Sequence, residues 1–254
     1  MKANIITLTT DFATDLYVGQ IKGVLLSLNP KTLLIDLTHR IKSFNILEGA
    51  FFISQVCPRF PCGTIHLVVV DPGVGSKREA LIILTDKHHY IGPNNGIFHF
   101  IKENEMIKKV VKIDQETFKK ASATFHGRDI FAPVASFLSL GRKMEEFGWV
   151  VNKKEIKKLS IPSECIMYID EFGNVITNIK KRFSLGEKLT VVYKEKKISA
   201  TFARTFSDVK EGEYVVLKGS SGFLEVDKNK ASAAEELEAR VGEKIQITKF
   251  KENF

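Results

Sequence analysis

The stretch TIHLVVVDPGVGSKR, residues 64–78, contains the pattern that decides the fold. Its first part, 64–70, is an apolar run, which is typical of a strand buried on both faces of a parallel sheet. Asp71 follows directly, and a loop with two glycines then leads to Arg78. The loop does not match GxxxxGK[ST], so it is not a phosphate-binding P-loop.

Strand and helix patterns alternate on both sides of this run. The periodicity predicts strands at 4–10, 32–38, 80–85 and 108–113, and helices at 16–29, 45–57 and 129–140. Strands that alternate with helices indicate an α/β sandwich. We therefore expect the first part of the chain to form an N-terminal α/β sandwich with a largely parallel sheet.

The pattern changes after residue 150. Residues 152–163 are polar and rich in lysine, which predicts a linker. Beyond them, short strand-like segments are separated by turn residues, and only 232–240 is clearly helical. This is typical of a small antiparallel β-barrel or sandwich. We expect an α/β N-terminal domain at 1–151, a linker at 152–163 and a C-terminal antiparallel β-barrel at 164–254.

Composition excludes several classes of protein. The 254 residues are 44% hydrophobic and 27% charged, which argues against a disordered or fibrous chain. No apolar run approaches the roughly 18 residues of a membrane helix, and the N-terminus lacks the features of a signal peptide. We therefore expect a cytoplasmic protein that does not enter the membrane.

Basic residues exceed acidic ones by 38 to 30, which gives a net charge of +8. Much of the excess lies in lysine clusters at 153–158 and 194–197. Such clusters predict mainly solvated faces, and the alternative is a nucleic-acid groove or a site for an acidic ligand.

The chain has three cysteines, Cys57, Cys62 and Cys165. No further cysteine or histidine pair completes a zinc site around Cys57 and Cys62, so we predict no metal site. Reduced thiols are expected in a cytoplasmic protein. A Cys57–Cys62 disulfide is the alternative, which a hyperthermophilic source would favour.

Polar residues follow the first three predicted strands: Asp11, the pair Thr38 and His39, and Asp71. In an open parallel sheet, ligands bind outside the carboxyl ends of the strands, so these residues are candidates for a site. Asp11 could instead cap the following helix. Pro72 in the Asp71 loop is also compatible with a structural turn.

Three further segments contain candidate site residues. FHGRDIFAP, 125–133, places His126 and Asp129 where a loop enters a predicted helix. A helix dipole would explain Asp129, whereas His126 has no comparable structural role. DEFGN, 170–174, and GSSG, 219–222, each end a predicted strand, and ordinary hairpin turns could explain either.

Eight motifs, in order along the chain, resemble those of the S-adenosyl-L-methionine hydroxide adenosyltransferase (adenosine-forming SAM hydrolase) family. The resemblance covers about residues 5–247, and the same superfamily contains SAM-dependent fluorinases and chlorinases. It implies an α/β N-terminal domain, a β-barrel C-terminal domain and a homotrimer whose sites lie between neighbouring subunits. The motifs are TTDFATDLYVGQIKGV, IDLTH, EGAFF, VVVDPGVGS…R, YIGPNNGIF, TFHGRDIFAP, IDEFGNVITNI and GSSGFLEV.

The resemblance also implies roles for individual residues. The catalytic Asp, Arg and His of the family fall on Asp71, Arg78 and His126. The halogenases have a tyrosine at the position of Asp71, so the aspartate implies water rather than halide as the nucleophile. Substrate contacts are implied for Asp11, Asp170, Asn174, Phe206, Ser220 and Ser221.

The activity implied is hydrolysis of S-adenosyl-L-methionine to adenosine and L-methionine by in-line attack of water on C5′. The SAM molecule is then the substrate, and no cofactor is needed. Asp71 and His126 would orient and deprotonate the water, while Arg78 would stabilise the hydroxide-like charge.

Two alternatives belong to other classes of protein. One is a SAM-dependent enzyme with a different nucleophile, such as a halide. The other is a module whose basic barrel binds nucleic acid. The barrel segment lacks a dense run of alternating aromatic and basic residues, which disfavours nucleic acid as a partner.

Overall fold

The computed structural model describes residues 4–13 and 15–250. The chain divides into two compact units, Met1–Leu159 and Ser160–Phe254. In the described part of the chain, no helix has the length and apolar character that a membrane span requires.

A seven-stranded sheet forms the middle of the first unit. Its strands lie in the order β2–β1–β3–β5–β4–β6–β7. The pairings of β2 with β1, β1 with β3 and β3 with β5 are parallel, and the remaining three are antiparallel. The strands are β1 (Ile5–Thr10), β2 (Leu33–Thr38), β3 (Ile65–Val69), β4 (Ala80–Thr85), β5 (His89–Pro93), β6 (Ile107–Ile113) and β7 (Gly148–Val151).

The α/β class is confirmed, but the sheet is mixed rather than largely parallel. Neither β5 nor β7 was predicted from the sequence. Only residues 86–88 connect β4 to β5, and parallel neighbours need a crossover of about a dozen residues or more. The short connection therefore makes β4 and β5 an antiparallel hairpin.

Apolar cores cover both faces of β3, as its continuous apolar pattern predicts. Leu67 and Val69 belong to the core on one face, where helices α1 (Asp15–Leu28) and α4 (Ala132–Ser139) pack. Val68 and Val70 belong to the core on the other face, together with side chains of α2 (Ile46–Val56). A short helix, α3 (Ile101–Asn104), lies between β5 and β6 along the chain.

The first half of the predicted linker packs on the first unit. The Asn94 side chain donates to the carbonyl of Glu155 (2.9 Å) and accepts from the amide of Lys157 (2.8 Å). Between them, the Ile156 side chain belongs to the apolar core under α2. Residues 153–159 therefore form an ordered surface of this unit, and a linker over the whole of 152–163 stays a prediction.

A second seven-stranded sheet forms the second unit, in the order β14–β10–β11–β12–β13–β9–β8. All neighbouring strands are antiparallel except β11 and β12. Helix α5 (Ala233–Leu237) precedes the last strand. The strands are β8 (Ile166–Ile169), β9 (Val175–Thr177), β10 (Lys188–Tyr193), β11 (Lys196–Phe202), β12 (Tyr214–Lys218), β13 (Leu224–Lys228) and β14 (Gln246–Lys249).

This second sheet is a curled half-barrel. An isolated bridge pairs Cys165, just before β8, with Lys244, just before β14. Among the described residues no continuous ladder joins the two edge strands, and β11–β12 is a parallel pair. The predicted antiparallel β-barrel is therefore not confirmed in its closed form.

All three cysteines have free thiols. Cys57 and Cys165 are buried, and Cys62 is exposed. The Cys57–Cys62 disulfide that the sequence left open is not formed.

Candidate active site

The three predicted catalytic residues lie together at the carboxyl end of β3. Arg78 donates from Nη2 to Oδ2 of Asp71 at 2.6 Å and from Nε to Oδ1 at 3.0 Å. The same Nη2 lies 2.8 Å from Nδ1 of His126. The side chains of the ion pair are only 6% (Arg78) and 5% (Asp71) exposed. One buried guanidinium thus joins the loop after β3 to the loop that leads into α4.

The donor-only chemistry of Arg78 determines the tautomer of His126. Because a guanidinium has no acceptor, Nδ1 of His126 accepts, and the neutral ring has its proton on Nε2. Burial, and then the positive charge of Arg78, lower the pKa of His126, so the ring is neutral at pH 7. Among the three residues, the Asp71 carboxylate retains acceptor capacity, since Oδ1 receives one hydrogen bond and Oδ2 two.

Gln115 fixes the position of Arg78. Its Oε1 accepts from Arg78 Nη1 at 3.0 Å, and its Nε2 donates to the Arg78 carbonyl at 3.1 Å. The Phe131 ring lies 5.3 Å from the guanidinium carbon, within cation–π distance. Gln115 was not predicted from the sequence, where its only signal is its position just after a predicted strand.

An apolar pocket of about 280 Å³ lies beside these residues, and Asp71 and His126 are among its lining. Phe12, Tyr17 and Phe125 form one wall, with ring centroids 5.3 to 5.8 Å apart. Tyr17 is 45% exposed, so it offers an aromatic surface to a ligand. None of these three aromatic residues was predicted as a site residue.

Asp11 also lines this pocket. Its Oδ2 accepts from the Phe44 amide at 2.8 Å, which ties the loop after β1 to the loop before α2. Burial raises the pKa of Asp11, and the nearby negative charge of Asp71 contributes in the same direction. His39, by contrast, is not part of the lining and bonds to Thr10 at 2.9 Å.

Asp129 holds the loop that contains His126. It lies in a π-helical turn, Gly127–Phe131, where its Oδ2 accepts from the Ser122 amide at 2.8 Å. It also pairs with Arg128 at 2.6 Å. The role of Asp129 is therefore positional, as the sequence analysis expected of a helix-start aspartate.

In the second unit, Asp170 and Asn174 form one turn. Asp170 accepts from the amide and from the side chain of Asn174, both at 2.9 Å. Asn174 lines a pocket of about 460 Å³ with Phe172 and Phe206, which are 79% and 41% exposed. Phe206 was predicted from the sequence and Phe172 was not, although an aromatic residue within a polar turn is a signal for it.

The two predicted serines are not part of that pocket's lining. Ser221 lies in the turn before β13, where its hydroxyl accepts from the Phe223 amide at 3.4 Å. Ser220 precedes it in the same turn. The structure therefore brings Asn174 and Phe206 to one pocket, and Ser220 and Ser221 lie in the turn before β13.

Two acidic residues on β13 lie close to Asp170. Burial raises the pKa of Glu225 to about 7, and Asp170 adds to the shift. Burial, Glu225 and Asp170 together raise the pKa of Asp227 to about 8. Near neutral pH both shifts favour the protonated, uncharged form of these two carboxyls. Over residues 4–13 and 15–250, no group of three or more His, Cys, Asp and Glu side chains has a metal-binding arrangement.

Gly75 determines how closely the two loops approach. Its φ is +75°, and a Cβ atom at this position would lie 2.3 Å from the Ala123 carbonyl oxygen. A side chain there would push the loop after β3 away from the loop that contains His126.

Comparison with known proteins gives a match over both units. Residues 6–148 match the family described as the SAM hydroxide adenosyltransferase N-terminal domain, and residues 164–246 match the corresponding C-terminal domain. A solved structure, described as an uncharacterized conserved protein from Thermotoga maritima, has a TM-score of 0.88 and 32% identity. It covers 96% of this chain and 100% of that chain.

Curated relatives include hydrolases and, at lower identity, fluorinases. The (R)-S-adenosyl-L-methionine hydrolase of Methanocaldococcus jannaschii is 37% identical over 96% of this chain and 95% of that protein. The hydrolase of the same name from Thermus thermophilus is 32% identical over 92% and 94%. A fluorinase from Nocardia brasiliensis is 26% identical over 92% and 93%.

We expect Gly75→Ala to lower the free energy of unfolding more than Gly141→Ala does. Gly141 also has a positive φ, +90°, but nothing lies within 4 Å of its Cβ position. The control therefore reports the cost of the left-handed backbone, about 1–2 kcal/mol, whereas Gly75→Ala adds a clash with Ala123. Chemical denaturation of both variants measures the difference, and equal losses would contradict the close approach.

Proposed function

The chain belongs to the SAM hydroxide adenosyltransferase family, and we propose that it hydrolyses S-adenosyl-L-methionine to adenosine and L-methionine. The observation on which the proposal rests is the buried Asp71–Arg78–His126 cluster beside an aromatic pocket. The relatives named as (R)-S-adenosyl-L-methionine hydrolases support it over nearly the whole chain.

The pocket suits the nucleoside part of this substrate. Its aromatic wall offers flat apolar surface, and the Asp11 carboxylate can accept hydrogen bonds from ribose hydroxyls. The sulfonium of SAM is a cation, which the carboxylates of Asp11 and Asp71 attract. In the second unit, we propose further substrate contacts from Asp170, Asn174, Phe206, Ser220 and Ser221.

The proposed mechanism depends on the Asp71 carboxylate, which can still accept a proton from water. A water molecule held by the Asp71 carboxylate attacks C5′ in line with the C5′–S bond and gives its proton to Asp71. As the O–C5′ bond forms, the C5′–S bond breaks, and its electron pair stays on the sulfur of methionine. Arg78 stabilises the hydroxide-like charge, and Nε2–H of His126 orients the water oxygen.

The same geometry disfavours a halide as the nucleophile. A halide placed beside C5′ would lie against the negative Asp71 carboxylate, whereas a water molecule is held by it. The fluorinases are also less similar to this chain than the hydrolases are.

We propose that no cofactor or metal takes part, because methionine leaves as a neutral thioether and needs no further activation. We also propose a cytoplasmic location, since the exposed Cys62 is a free thiol and reduced thiols are typical of that compartment.

Asp71→Asn should lower turnover by about two to four orders of magnitude, since the amide cannot accept the proton of water. His126→Ala should lower it by at least about tenfold, because Arg78 loses an acceptor and the water loses a donor. Chromatography of adenosine and methionine released from SAM measures both effects. Asp86→Asn and His99→Ala are controls in the same unit, outside the pocket, and should retain wild-type turnover.

The pH dependence of turnover is a second test of the role of His126. Protonation puts a hydrogen on Nδ1 and removes the acceptor for Arg78, so turnover should fall on acidification. Because the pKa of His126 is lowered, the midpoint should lie below the ordinary histidine value of 6.5. His126→Asn should remove this acid limb, while His99→Ala should retain it. An unchanged profile in His126→Asn would show that protonation of His126 does not cause the acid limb.

We expect inversion at C5′ when SAM is chirally deuterated there, because direct attack by water is a single displacement. The competing route is attack by Asp71 itself, followed by hydrolysis of the ester. That route would give retention if water attacked C5′ in the second step, or an ¹⁸O-labelled Asp71 carboxylate if it attacked the ester carbonyl. In H₂¹⁸O, direct attack should place the label in the 5′ hydroxyl after a single turnover, with none in Asp71.

We further propose a homotrimer in which the first unit of one subunit and the second unit of its neighbour form each site. The support is that predicted substrate contacts lie on both units, in agreement with the family resemblance. Asp71→Asn and Asp170→Ala, each impaired alone, should then regain activity when refolded as a mixture. Under random mixing about a quarter of the shared sites contain two intact halves.

Sites formed within a single chain would restore nothing in that mixture. Asp71→Asn mixed with His126→Ala is the matched control, because both changes lie in the first unit and no mixed site is intact. Light scattering should give three times the mass of the chain, and a monomer mass in active protein would contradict the trimer.

A further inference from the structure

A second groove, of about 570 Å³, lies in the first unit beside the start of β6. Met106 and Ile107, at that end of the strand, are part of its lining. Gln115 and the Arg78 cluster lie beyond the other end of β6, which at seven residues is roughly 20 Å long. The groove is therefore separate from the candidate active site.

The floor of this groove is apolar. Phe98 and Ile156 are buried side chains that line it, and Ile107 is half-buried. Met106 is 60% exposed and extends the apolar surface of the floor to the solvent. The floor therefore offers contact surface to a flat or apolar group.

The rim of the groove has a concentrated positive charge. None of its lysines has a carboxylate within salt-bridge distance among residues 4–13 and 15–250, and all are exposed. Their mutual repulsion disfavours the cluster unless an anion compensates it. The lysines are Lys102, Lys153, Lys154, Lys157 and Lys158.

The acidic residue of the lining, Glu105, already has partners for its carboxylate. It pairs with His88 at 2.7 Å and accepts from Thr85 at 2.6 Å and Tyr90 at 2.9 Å. Its side chain is 1% exposed. Glu105 therefore does not form a salt bridge with the lysines of the rim.

The backbone that holds four of these lysines is ordered. The Asn152 side chain accepts from the Lys154 amide at 2.9 Å, and Asn94 accepts from the Lys157 amide at 2.8 Å. Nδ1 of His99 accepts from the Leu159 amide at 2.9 Å. These hydrogen bonds fix the backbone positions of the lysines around the groove. The backbone of a flexible linker would not be held in this way.

We propose that this groove binds a nucleoside polyphosphate, with the phosphates on the lysines and the base on the apolar floor. Several negative charges are required, since one charge would leave most of the lysine repulsion in place. Lysines act as point charges that suit phosphate oxygens, and the volume is in the range of small-molecule pockets. A nucleic-acid strand would need a longer track of stacking aromatic side chains.

Calorimetric titration with ATP tests the proposal, in saturating adenosine so that the hydrolytic site is occupied. The wild-type protein should bind one ATP per chain. Lys153→Gln/Lys154→Gln and Lys157→Gln/Lys158→Gln should each weaken ATP binding about tenfold, an effect that grows as the salt concentration falls. The control Lys119→Gln/Lys120→Gln removes two exposed charges outside the groove and should leave binding unchanged.

Tripolyphosphate separates charge from base recognition. Met106→Gln should weaken ATP binding while leaving tripolyphosphate binding unchanged, because only ATP has a base to place on the floor. Equal effects on both probes would reduce the groove to a plain polyanion site and overturn the proposal. So would absence of ATP binding, its abolition by adenosine, an equal loss in the lysine control, or tighter binding of a single-stranded RNA oligonucleotide. Turnover of SAM without ATP should not change in these variants, so failure of the proposed hydrolysis would leave this test intact.

Discussion

The guanidinium of Arg78 lies between a carboxylate and an imidazole, and both side chains of the Asp71–Arg78 pair are almost wholly buried. Removing one member of a buried ion pair leaves an uncompensated charge, which typically costs about 3–5 kcal/mol. The guanidinium of Arg78 donates hydrogen bonds to three side chains and makes a cation–π contact with the Phe131 ring. The three acceptors are Asp71, His126 and Gln115. The loops of the candidate active site are thus held in place by the need to keep one charge compensated.

That arrangement depends on the mixed topology of the first sheet. Because β4 runs antiparallel to β5, and β5 parallel to β3, the start of β4 lies at the same end of the sheet as the end of β3. Asp71 follows β3 and Arg78 precedes β4, so a loop of a few residues brings them together. In a largely parallel sheet, β4 would begin at the opposite end, a strand length away from Asp71. The feature that the sequence analysis missed is the one that assembles the ion pair.

The sequence predicted the members of the cluster better than their surroundings. Asp71 and His126 could be predicted because local structure does not explain the presence of either residue. Asp71 directly follows a buried apolar strand, and His126 precedes a helix without capping it. Gln115 and Tyr17 could not be found in this way, since their roles arise from contacts with residues distant along the chain. The strand β5 was missed because His89–Pro93 is short and ends in proline. Periodicity is a weak signal over so few residues.

The net charge of +8 says little about what the candidate active site prefers, because charge is distributed unevenly along the first sheet. At the end where β3 stops, Asp11 and Asp71 line a small pocket with aromatic walls, and its lining contains no lysine among the described residues. At the other end of β6, a larger groove is lined by five lysines that form no salt bridge with any residue the structure describes. One end therefore suits a cation such as a sulfonium, and the other suits a polyanion. The lysines of the groove repel a cation, and the two aspartates of the pocket repel a polyanion. Electrostatic repulsion therefore disfavours binding of each ligand at the other's site.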